Sequence, residues 1–464
     1  MQSLIHHTRR MAALCAVVAG PLFVGGCNVR HELLSPQNPG VIDPSAVGSP
    51  SAAAALRVGA LGSLKGATGS GENLWRWGGL LTDEYKSSDT FSQRNEVDQR
   101  TVQTNNGTYN GAYTGIQQAR GFITTAIASL QTYLPTPASN IGELYMGLSF
   151  VEMQMAEDLC NGIPLGHTDN GVVTYTAPLT DADVLKVASA SADTALSLST
   201  ATDASSVAIQ RAALVTKARV LVDQGQFAAA AALVSVTAVP TSFQYNLTFS
   251  QTTVDNGIWN INASVARYTI GDSADVINGL PNVIKNALPF VSAGDPRVPV
   301  KSGNAFTPVV KPFDSNTPLF IQQIYQRDDP IPLVSGIDAR LIEAEAKLNA
   351  SDIAGMMTIL NALRTSAQTI GIFKVPVMAA LPTPATQAAA VTLFFREKAF
   401  WTFGRGQRLG DLRRLIRQYG RTQDNVFPTG VFHKGGNYGT DVMLPVTDTE
   451  KTNTLFTGCI DRNA

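Results

Sequence analysis

Apolar residues recur every three or four positions through much of this chain, and that spacing restricts most of it to helices. The stretches that show it are residues 52–64, 109–130, 140–159, 181–198, 206–224 and 228–236. One face of an α-helix repeats about every 3.6 residues, so each stretch predicts a helix that buries one side. Glycine or proline stands near several of the ends, as expected of helix boundaries. The pattern predicts a mainly α protein.

Two helical hairpins are predicted, near residues 210–236 and 338–365. In the first, Ala218 and Ala230 are small enough for close packing, and Gly225 permits the tight turn between the helices. This spacing resembles the tetratricopeptide repeat. The two hairpins lie roughly one hundred residues apart and form no tandem array, so a simple solenoid does not account for the chain.

Between the hairpins, residues 241–331 change to asparagine, glycine, proline and β-branched residues without a helical period. This region is predicted to form long irregular loops and short strands. Long loops on a rigid helical frame are where binding residues tend to lie.

The first residues predict a lipoprotein export signal. Arg9 and Arg10 supply a positive start, residues 11–24 are apolar but too short to span a bilayer comfortably, and Gly25-Gly26-Cys27 resembles a lipobox. We expect residues 1–26 to be removed and Cys27 to carry lipid, palmitate included, which anchors a chain firmly when more than one acyl group is attached. An ordinary secretory signal with an incidental cysteine is the alternative.

The segment 27–50 is predicted to be an extended tether, because its four prolines disfavour a helix. Residues 51–464 then form the folded domain. Asn28, rather than an aspartate, follows the lipid cysteine, which by resemblance to sorted lipoproteins predicts the outer membrane.

Charge argues against nucleic acid as a partner. The chain has 35 Lys+Arg against 36 Asp+Glu, for a formal net charge of -1, and no basic run that could displace counterions from phosphates. Charged residues make up 15% of the chain, against roughly 25% in typical soluble proteins. The surface is therefore expected to be neutral and polar, which suits uncharged ligands.

Two cysteines stay in the predicted mature domain, Cys160 and Cys459. In an oxidising compartment they could form a disulfide bond across a very long loop. Two buried free thiols are the alternative, because the sequence does not show whether their Cα atoms come within bonding distance.

No metal site, cofactor or enzymatic activity is expected. The sequence lacks CxxC, HExxH, GxSxG and P-loop motifs. Asp83-Glu84 is the most noticeable acidic pair, but adjacent helical residues point about 100° apart and cannot easily flank one scissile bond. The pair is interpreted as charges at a helix end, with a surface hydrolase using Asp83 or Glu84 as an alternative hypothesis.

A second charged cluster follows an aromatic helical stretch. Arg396 and Glu397 lie within residues 394–403, and Arg408 and Asp411 come shortly after. Arginine and carboxylate side chains on an otherwise apolar helix more often join neighbouring helices than perform catalysis. These four residues are therefore predicted to be a structural motif.

Aromatic side chains are the candidate ligand-binding residues, because the C–H faces of sugar rings pack on aromatic rings. The candidates are Trp75, Trp77, Tyr85, Phe91, Trp259 and Tyr268. Trp259 is preferred because polar turn residues surround it and favour exposure. Packing in the core is the alternative for Trp75 and Trp77.

Several motifs in the mature chain resemble the SusD/RagB family in order and spacing. They are Asn38-Pro39, Asn161-Gly162-Ile163-Pro164-Leu165, Asp295-Pro296-Arg297, residues 340–346, residues 360–364, Arg396-Glu397 with residues 400–414, Leu444-Pro445-Val446, Glu450 and Asn453. The similarity covers nearly the whole mature chain, and the order of the motifs together with the lipobox makes it specific.

This resemblance implies a tetratricopeptide-like lipoprotein on the outer face of the outer membrane. It implies a partner, a SusC-type TonB-dependent transporter, over which the protein acts as a hinged lid while glycans, peptides or other nutrients are captured for import. Residues 456–460 depart from the Gln-Asn-Pro-Gly-Tyr-like ending of the family, and a link between Cys160 and Cys459 could replace it. An envelope scaffold of helical repeats that binds no nutrient is the alternative function.

Overall fold

The computed structural model describes residues 48–169, 172–277, 280–303 and 311–464. The predicted signal peptide, residues 1–26, the lipid cysteine Cys27 and nearly all of the predicted tether lie outside the described residues. Contacts between residues unite Ala53–Ala464 in one body.

Helices dominate the described residues. The thirteen α-helices found there are α1 (Pro50–Thr68), α2 (Leu74–Leu81), α3 (Ser92–Asp98), α4 (Gly107–Tyr133), α5 (Ala138–Asp158), α6 (Asp181–Leu198), α7 (Ala204–Asp223), α8 (Phe227–Leu233), α9 (Gly257–Trp259), α10 (Gly336–Asn349), α11 (Ile353–Arg364), α12 (Gln387–Trp401) and α13 (Arg408–Arg417). A π-helical turn, Asn260–Ser264, and two 3-10 helices, Gln423–Asn425 and Asp448–Thr452, accompany them. The predicted mainly α fold class is confirmed.

The strands are short, and those described pair two by two in antiparallel fashion. They are β1 (Tyr85–Ser87), β2 (His167–Asp169), β3 (Val172–Thr174), β4 (Gln244–Leu247), β5 (Tyr268–Ile270), β6 (Ala274–Ile277), β7 (Leu280–Val283), β8 (Val300–Ser302), β9 (Phe320–Gln322), β10 (Ile331–Ser335), β11 (Gln368–Ile370) and β12 (Phe373–Val375). The pairs are β1–β5, β2–β3, β4–β10, β6–β7, β8–β9 and β11–β12. Many of these strands lie in the middle region, where the sequence predicts loops and short strands.

Helix α5 is the centre of the helical frame, packing against α4, α6 and α7. Nearly all of its side chains are buried. Its partner α6 comes so close that a Cβ at Gly142 would lie 2.4 Å from the Ser199 Oγ and 3.1 Å from the Ala195 carbonyl oxygen. Glycine at this position therefore sets the separation of the two helices.

Helices occupy both of the regions where hairpins are predicted. Between α7 and α8, Gly225 has a φ of 74°, and the Gln226 amide donates to the Leu221 carbonyl at 2.7 Å, which closes the end of α7. Between α10 and α11, Ser351 has a φ of 58°, and the Asp352 carboxylate accepts from the Gly355 amide at 2.8 Å. Helices α10 and α11 pack against each other, and α8 packs against both α7 and α10.

Buried ion pairs join distant parts of the chain. The Arg297 guanidinium donates to Asp295 at 2.6 and 2.8 Å and to Glu397 at 2.7 and 3.0 Å, and Glu397 also accepts from Arg364 at 3.0 Å. The carbon of that guanidinium lies 5.1 Å from the ring centroids of both Phe400 and Trp401. Two motifs of the family resemblance, Asp295-Pro296-Arg297 and Arg396-Glu397, thus meet in one contact.

The rest of the predicted structural motif lies close by. Asp411 accepts from Lys398 and from Arg414, each at 2.6 Å, and Arg408 donates to Asp83 at 2.6 and 2.8 Å. Arg396 is partly exposed, and its guanidinium carbon lies 4.9 Å from the centroid of the Phe400 ring. These contacts connect α12, α13 and the segment after α2.

Cys160 and Cys459 form a disulfide bond, with Cα atoms 6.0 Å apart and 299 positions of sequence separation. Around it, the Ile460 amide donates to the Asn161 carbonyl at 2.7 Å, and the Asn161 amide group donates to Asp461 at 2.7 Å. Residues near Cys459 are thereby held against the end of α5.

We predict that Arg297→Ala lowers the free energy of unfolding by ~3–5 kcal/mol, because it leaves the Glu397 carboxylate buried with less compensating charge. Denaturant unfolding of the purified protein measures this. The matched control is Lys186→Ala on an exposed side chain, which should leave the midpoint unchanged. Equal stability of Arg297→Ala and wild type would contradict the prediction.

Candidate functional site

Four of the six aromatic candidates lie in the core. The side chains of Trp75, Trp77 and Tyr268 are 0% exposed and that of Tyr85 is 1% exposed. Tyr268 packs on Trp77 and Tyr85, with ring centroids 6.4 and 5.8 Å apart. The prediction that these four rings contact a ligand is therefore corrected, because none of them offers a face to solvent.

Trp259 is half-buried and has a charged neighbour. The Asn256 side chain accepts from the Ile258 and Trp259 amides at 2.9 and 3.2 Å, which begins the short helix α9. The Arg327 guanidinium carbon lies 5.6 Å from the centroid of the Trp259 ring, and Arg327 donates to Asp255 at 2.8 Å. Trp259 thus stays a candidate ligand-binding residue, and the Arg327 guanidinium already lies beside its ring.

Phe91 is 50% exposed, and the structure places it beside a second exposed ring, Phe313, which is 42% exposed. The centroids of the two rings are 6.5 Å apart, and their planes meet at 84°. The guanidinium carbon of Arg267 lies 3.8 Å from the Phe313 centroid and 5.1 Å from the Phe91 centroid. We call Phe91, Phe313, Arg267 and Asp89 the Phe91–Phe313 site.

Backbone hydrogen bonds fix both ring-bearing segments to residues next to β5. The Ser88 amide donates to the Arg267 carbonyl at 2.9 Å, and the Phe313 amide donates to the Ala266 carbonyl at 2.9 Å. The Asp314 amide then donates to the Ser88 carbonyl at 2.9 Å. The two loops are therefore joined to each other as well as to the pair β1–β5.

Asp89 holds the polar side of the site. One of its oxygens accepts from the Phe91 amide at 2.9 Å, and the other accepts from Arg267 at 2.7 Å and lies 3.0 Å from an Arg94 nitrogen. Arg94 in turn donates to Glu72 at 2.6 Å. These contacts fix the guanidinium of Arg267 against the rings, so its position costs little entropy when a ligand arrives.

Asp314 and Lys434 close the other side. Lys434 hydrogen-bonds to the Asp314 carboxylate and donates to the Asp89 carbonyl at 2.8 Å. Burial tends to raise the pKa of Asp314, but hydrogen bonds from Lys434 and Thr317 outweigh it and lower this pKa to about 2. Asp314 is therefore a fixed anion that orients the loop next to Phe313.

The Phe91–Phe313 site can hold a ligand that combines an apolar face with polar groups at its rim. The two rings present flat apolar surface, and the side chains of Ser315 and Asn316 are exposed beside them. No cluster of three or more histidine, cysteine, aspartate or glutamate residues suited to a metal occurs in the described part of the chain.

Phe313 and Arg267 are absent from the sequence-based candidates. Phe313 stands just before Asp314-Ser315-Asn316, which is the same kind of polar turn that marks Trp259, so this signal could have found it. Nothing in the sequence near Arg267 indicates that it lies between two rings that are more than two hundred positions apart.

The acidic pair Asp83-Glu84 lies inside the protein. Asp83 is 4% exposed and, besides pairing with Arg408, accepts from the Leu288 amide at 2.7 Å. Glu84 is 0% exposed and accepts from the Gly404 amide at 2.9 Å. Neither carboxylate reaches solvent, so a surface hydrolase, the alternative hypothesis, has no exposed carboxylate at this pair. Both residues come just after the end of α2, and Asp83 is ion-paired, as expected of charges at a helix end.

Burial raises the pKa of Glu84 from 4.5 to about 8, with the neighbouring Asp83 carboxylate adding to the effect. The folded protein therefore holds this proton more tightly than the unfolded chain does. The resulting stabilisation is complete below about pH 4.5 and is lost as the pH rises through about 8.

We predict that Glu84→Gln gains stability relative to wild type as the pH rises from about 5 to about 8, by at most ~1.4 kcal/mol per pH unit, and that the difference levels off above about pH 8. Glutamine keeps an oxygen for the Gly404 amide but cannot ionise. Unfolding curves across this range measure the difference, with Asp328→Asn on an exposed side chain as the control. A constant difference across the range would refute the prediction.

The same architecture occurs in solved structures. A SusD-like carbohydrate binding protein from Bacteroides fragilis NCTC 9343 aligns with a TM-score of 0.63 at 14% sequence identity, covering 88% of this chain and 98% of that chain. Surface glycan-binding protein A from Bacteroides thetaiotaomicron gives 0.61 at 11% identity, with 89% and 100% covered. NanU from B. fragilis gives 0.59 at 13% identity, with 91% and 100% covered.

No family model matches the chain, and no curated protein matches it. The solved structures nevertheless define its class as a helical, tetratricopeptide-like protein. More particularly, the chain has the SusD-like fold, and the predicted resemblance to SusD/RagB proteins is confirmed at the level of the fold.

Proposed function

We propose that this protein captures glycans at the outer surface of the outer membrane. The observation that carries the proposal is the Phe91–Phe313 site, two exposed rings with a fixed guanidinium between them, on a SusD-like fold. The faces of pyranose rings carry C–H groups that pack on such rings, and their hydroxyl groups can hydrogen-bond to Arg267, Ser315 and Asn316. Two of the three similar structures named above are described as carbohydrate- or glycan-binding, in agreement with this ligand class.

We further propose that the protein is a lipoprotein anchored through Cys27 and that its partner is a SusC-type TonB-dependent transporter. The lipobox-like Gly25-Gly26-Cys27 supports the anchor. Among the described residues, no helix combines the length and apolar character needed to cross a bilayer. In this proposal the protein is a hinged lid that closes over the barrel once ligand is bound, and it performs no chemistry on the ligand.

We predict that Phe91→Ala and Phe313→Ala each weaken binding of a neutral oligosaccharide about tenfold or more, or ~1.4 kcal/mol. Isothermal titration with maltoheptaose, xylohexaose and cellohexaose measures the affinity. Tyr133→Ala is the control, because it removes an exposed ring at the end of α4. If wild type binds and both variants keep its affinity, the ligand does not bind at the Phe91–Phe313 site. Trp259→Ala would then be tested.

We predict that the acylated protein, purified by a tag from detergent-solubilised outer membranes, brings down a large β-barrel in equal amount. Mass spectrometry identifies the companion, and a Cys27→Ala form that stays soluble is the control for non-specific capture. Recovery of periplasmic proteins without a barrel would instead favour the scaffold, the alternative function.

A further inference from the structure

A second concavity lies between α4, the β2–β3 hairpin and the 3-10 helix Asp448–Thr452. Its volume is about 440 Å³, and its walls include Gln117, Gln118, Phe122, Val173, Tyr175 and Glu450. Ligand pockets commonly measure ~300–1,000 Å³. None of its lining residues belongs to the Phe91–Phe313 site.

Three apolar side chains of this cavity are largely exposed to solvent and are not part of the packed core. Phe122 is 56% exposed, Val173 is 54% exposed and Tyr175 is 43% exposed. Helix α4 buries a continuous stripe that includes Ile116, Ala119 and Ile123, and Phe122 lies off that stripe. The protein therefore presents a phenylalanine and a tyrosine at one concavity, where a ligand could cover them.

The polar groups around these rings indicate an uncharged ligand. Gln118 supplies an exposed amide group, and the exposed residue His167 also belongs to the walls. Gln117 and Asn453 supply amide groups that also hydrogen-bond within the protein. Glu450 supplies a half-buried carboxylate that accepts from the Tyr113 hydroxyl at 2.7 Å. No lysine or arginine is present among the described residues that form the walls. Aromatic faces combined with amides, an imidazole and one carboxylate suit the hydroxyl groups of a neutral sugar better than an anion.

Hydrogen bonds hold the walls in place without a ligand. Arg120 donates to the Leu165 and Gly166 carbonyls at 3.1 and 2.7 Å, which fixes the start of the hairpin against α4. The Asn453 side chain donates to the Thr176 carbonyl at 3.0 Å. The disulfide of Cys459 anchors the segment that follows Asn453. A cavity formed in advance spends little binding energy on ordering its walls.

We propose that this cavity is a second saccharide-binding site that takes a pyranose unit of a neutral glycan, stacked on Tyr175 or Phe122. The inference rests on the proposed function for its ligand class and adds a second point of attachment. Two sites on one rigid body raise the apparent affinity for a polysaccharide that reaches both, because the second contact is intramolecular.

The test uses the full folded protein, the double variant Phe122→Ala/Tyr175→Ala, the double variant Phe91→Ala/Phe313→Ala and the control Tyr133→Ala. Titration with maltoheptaose, xylohexaose and cellohexaose gives affinity and stoichiometry, and thermal unfolding checks that every variant is folded. For an oligosaccharide that binds, wild type and Tyr133→Ala should bind two molecules, and each double variant should bind one.

Retention on a gel containing the matching polysaccharide gives a second measurement. We expect Phe122→Ala/Tyr175→Ala to weaken it tenfold or more. Full stoichiometry and full retention in that variant, with loss in Phe91→Ala/Phe313→Ala, would overturn the second site and leave the proposed function standing. If wild type binds none of the oligosaccharides, both proposals fail for neutral glycans.

Discussion

The Arg297 guanidinium unites the two halves of this fold. It bridges Asp295, in the loop-rich middle region, and Glu397, on α12, while the rings of Phe400 and Trp401 pack around it. Two carboxylates and five fixed N–H donors satisfy one another in the protein interior, where an unpaired charge is costly. Because Glu397 also binds Arg364, the same contact reaches α11. Although charged residues are scarce in this chain, many of them are buried. A buried charge requires a particular side chain of opposite charge beside it.

The candidate ligand site depends on the frame only indirectly. Its rings lie on two turns that hydrogen-bond to residues next to β5, and β5 pairs with β1, which follows the buried helix α2. The frame therefore fixes the backbone of both turns, whereas the ring-bearing side chains remain at the surface. Such a site can change its ligand by substitutions that leave the core unaltered.

Helical spacing predicted most of the frame because burial imposes a period on the sequence. The site was harder to predict, because exposure of a single ring depends on tertiary packing. Trp75 and Trp77 flank Arg76, which suggests a polar surface, but Arg76 is buried and donates to the Gly69 and Gly404 carbonyls at 2.9 Å. Phe91 is among the aromatic candidates that the sequence indicates, whereas its partner Phe313 lies far away in the sequence. Arg267 could not be predicted from the sequence, because it contacts the two rings only when the loops that carry Phe91 and Phe313 come together in the fold.

The disulfide also sets an order of events during synthesis. Cys459 is added to the chain 299 residues after Cys160, which at ~5–20 residues per second is roughly 15–60 s later. For that interval the thiol of Cys160, at the end of the central helix α5, has no native partner. The native disulfide therefore cannot form until the segment that carries Cys459 is present, so it closes only when nearly the whole chain is available. A cell that oxidised Cys160 early, with any other thiol, would trap the protein before its last segment could dock.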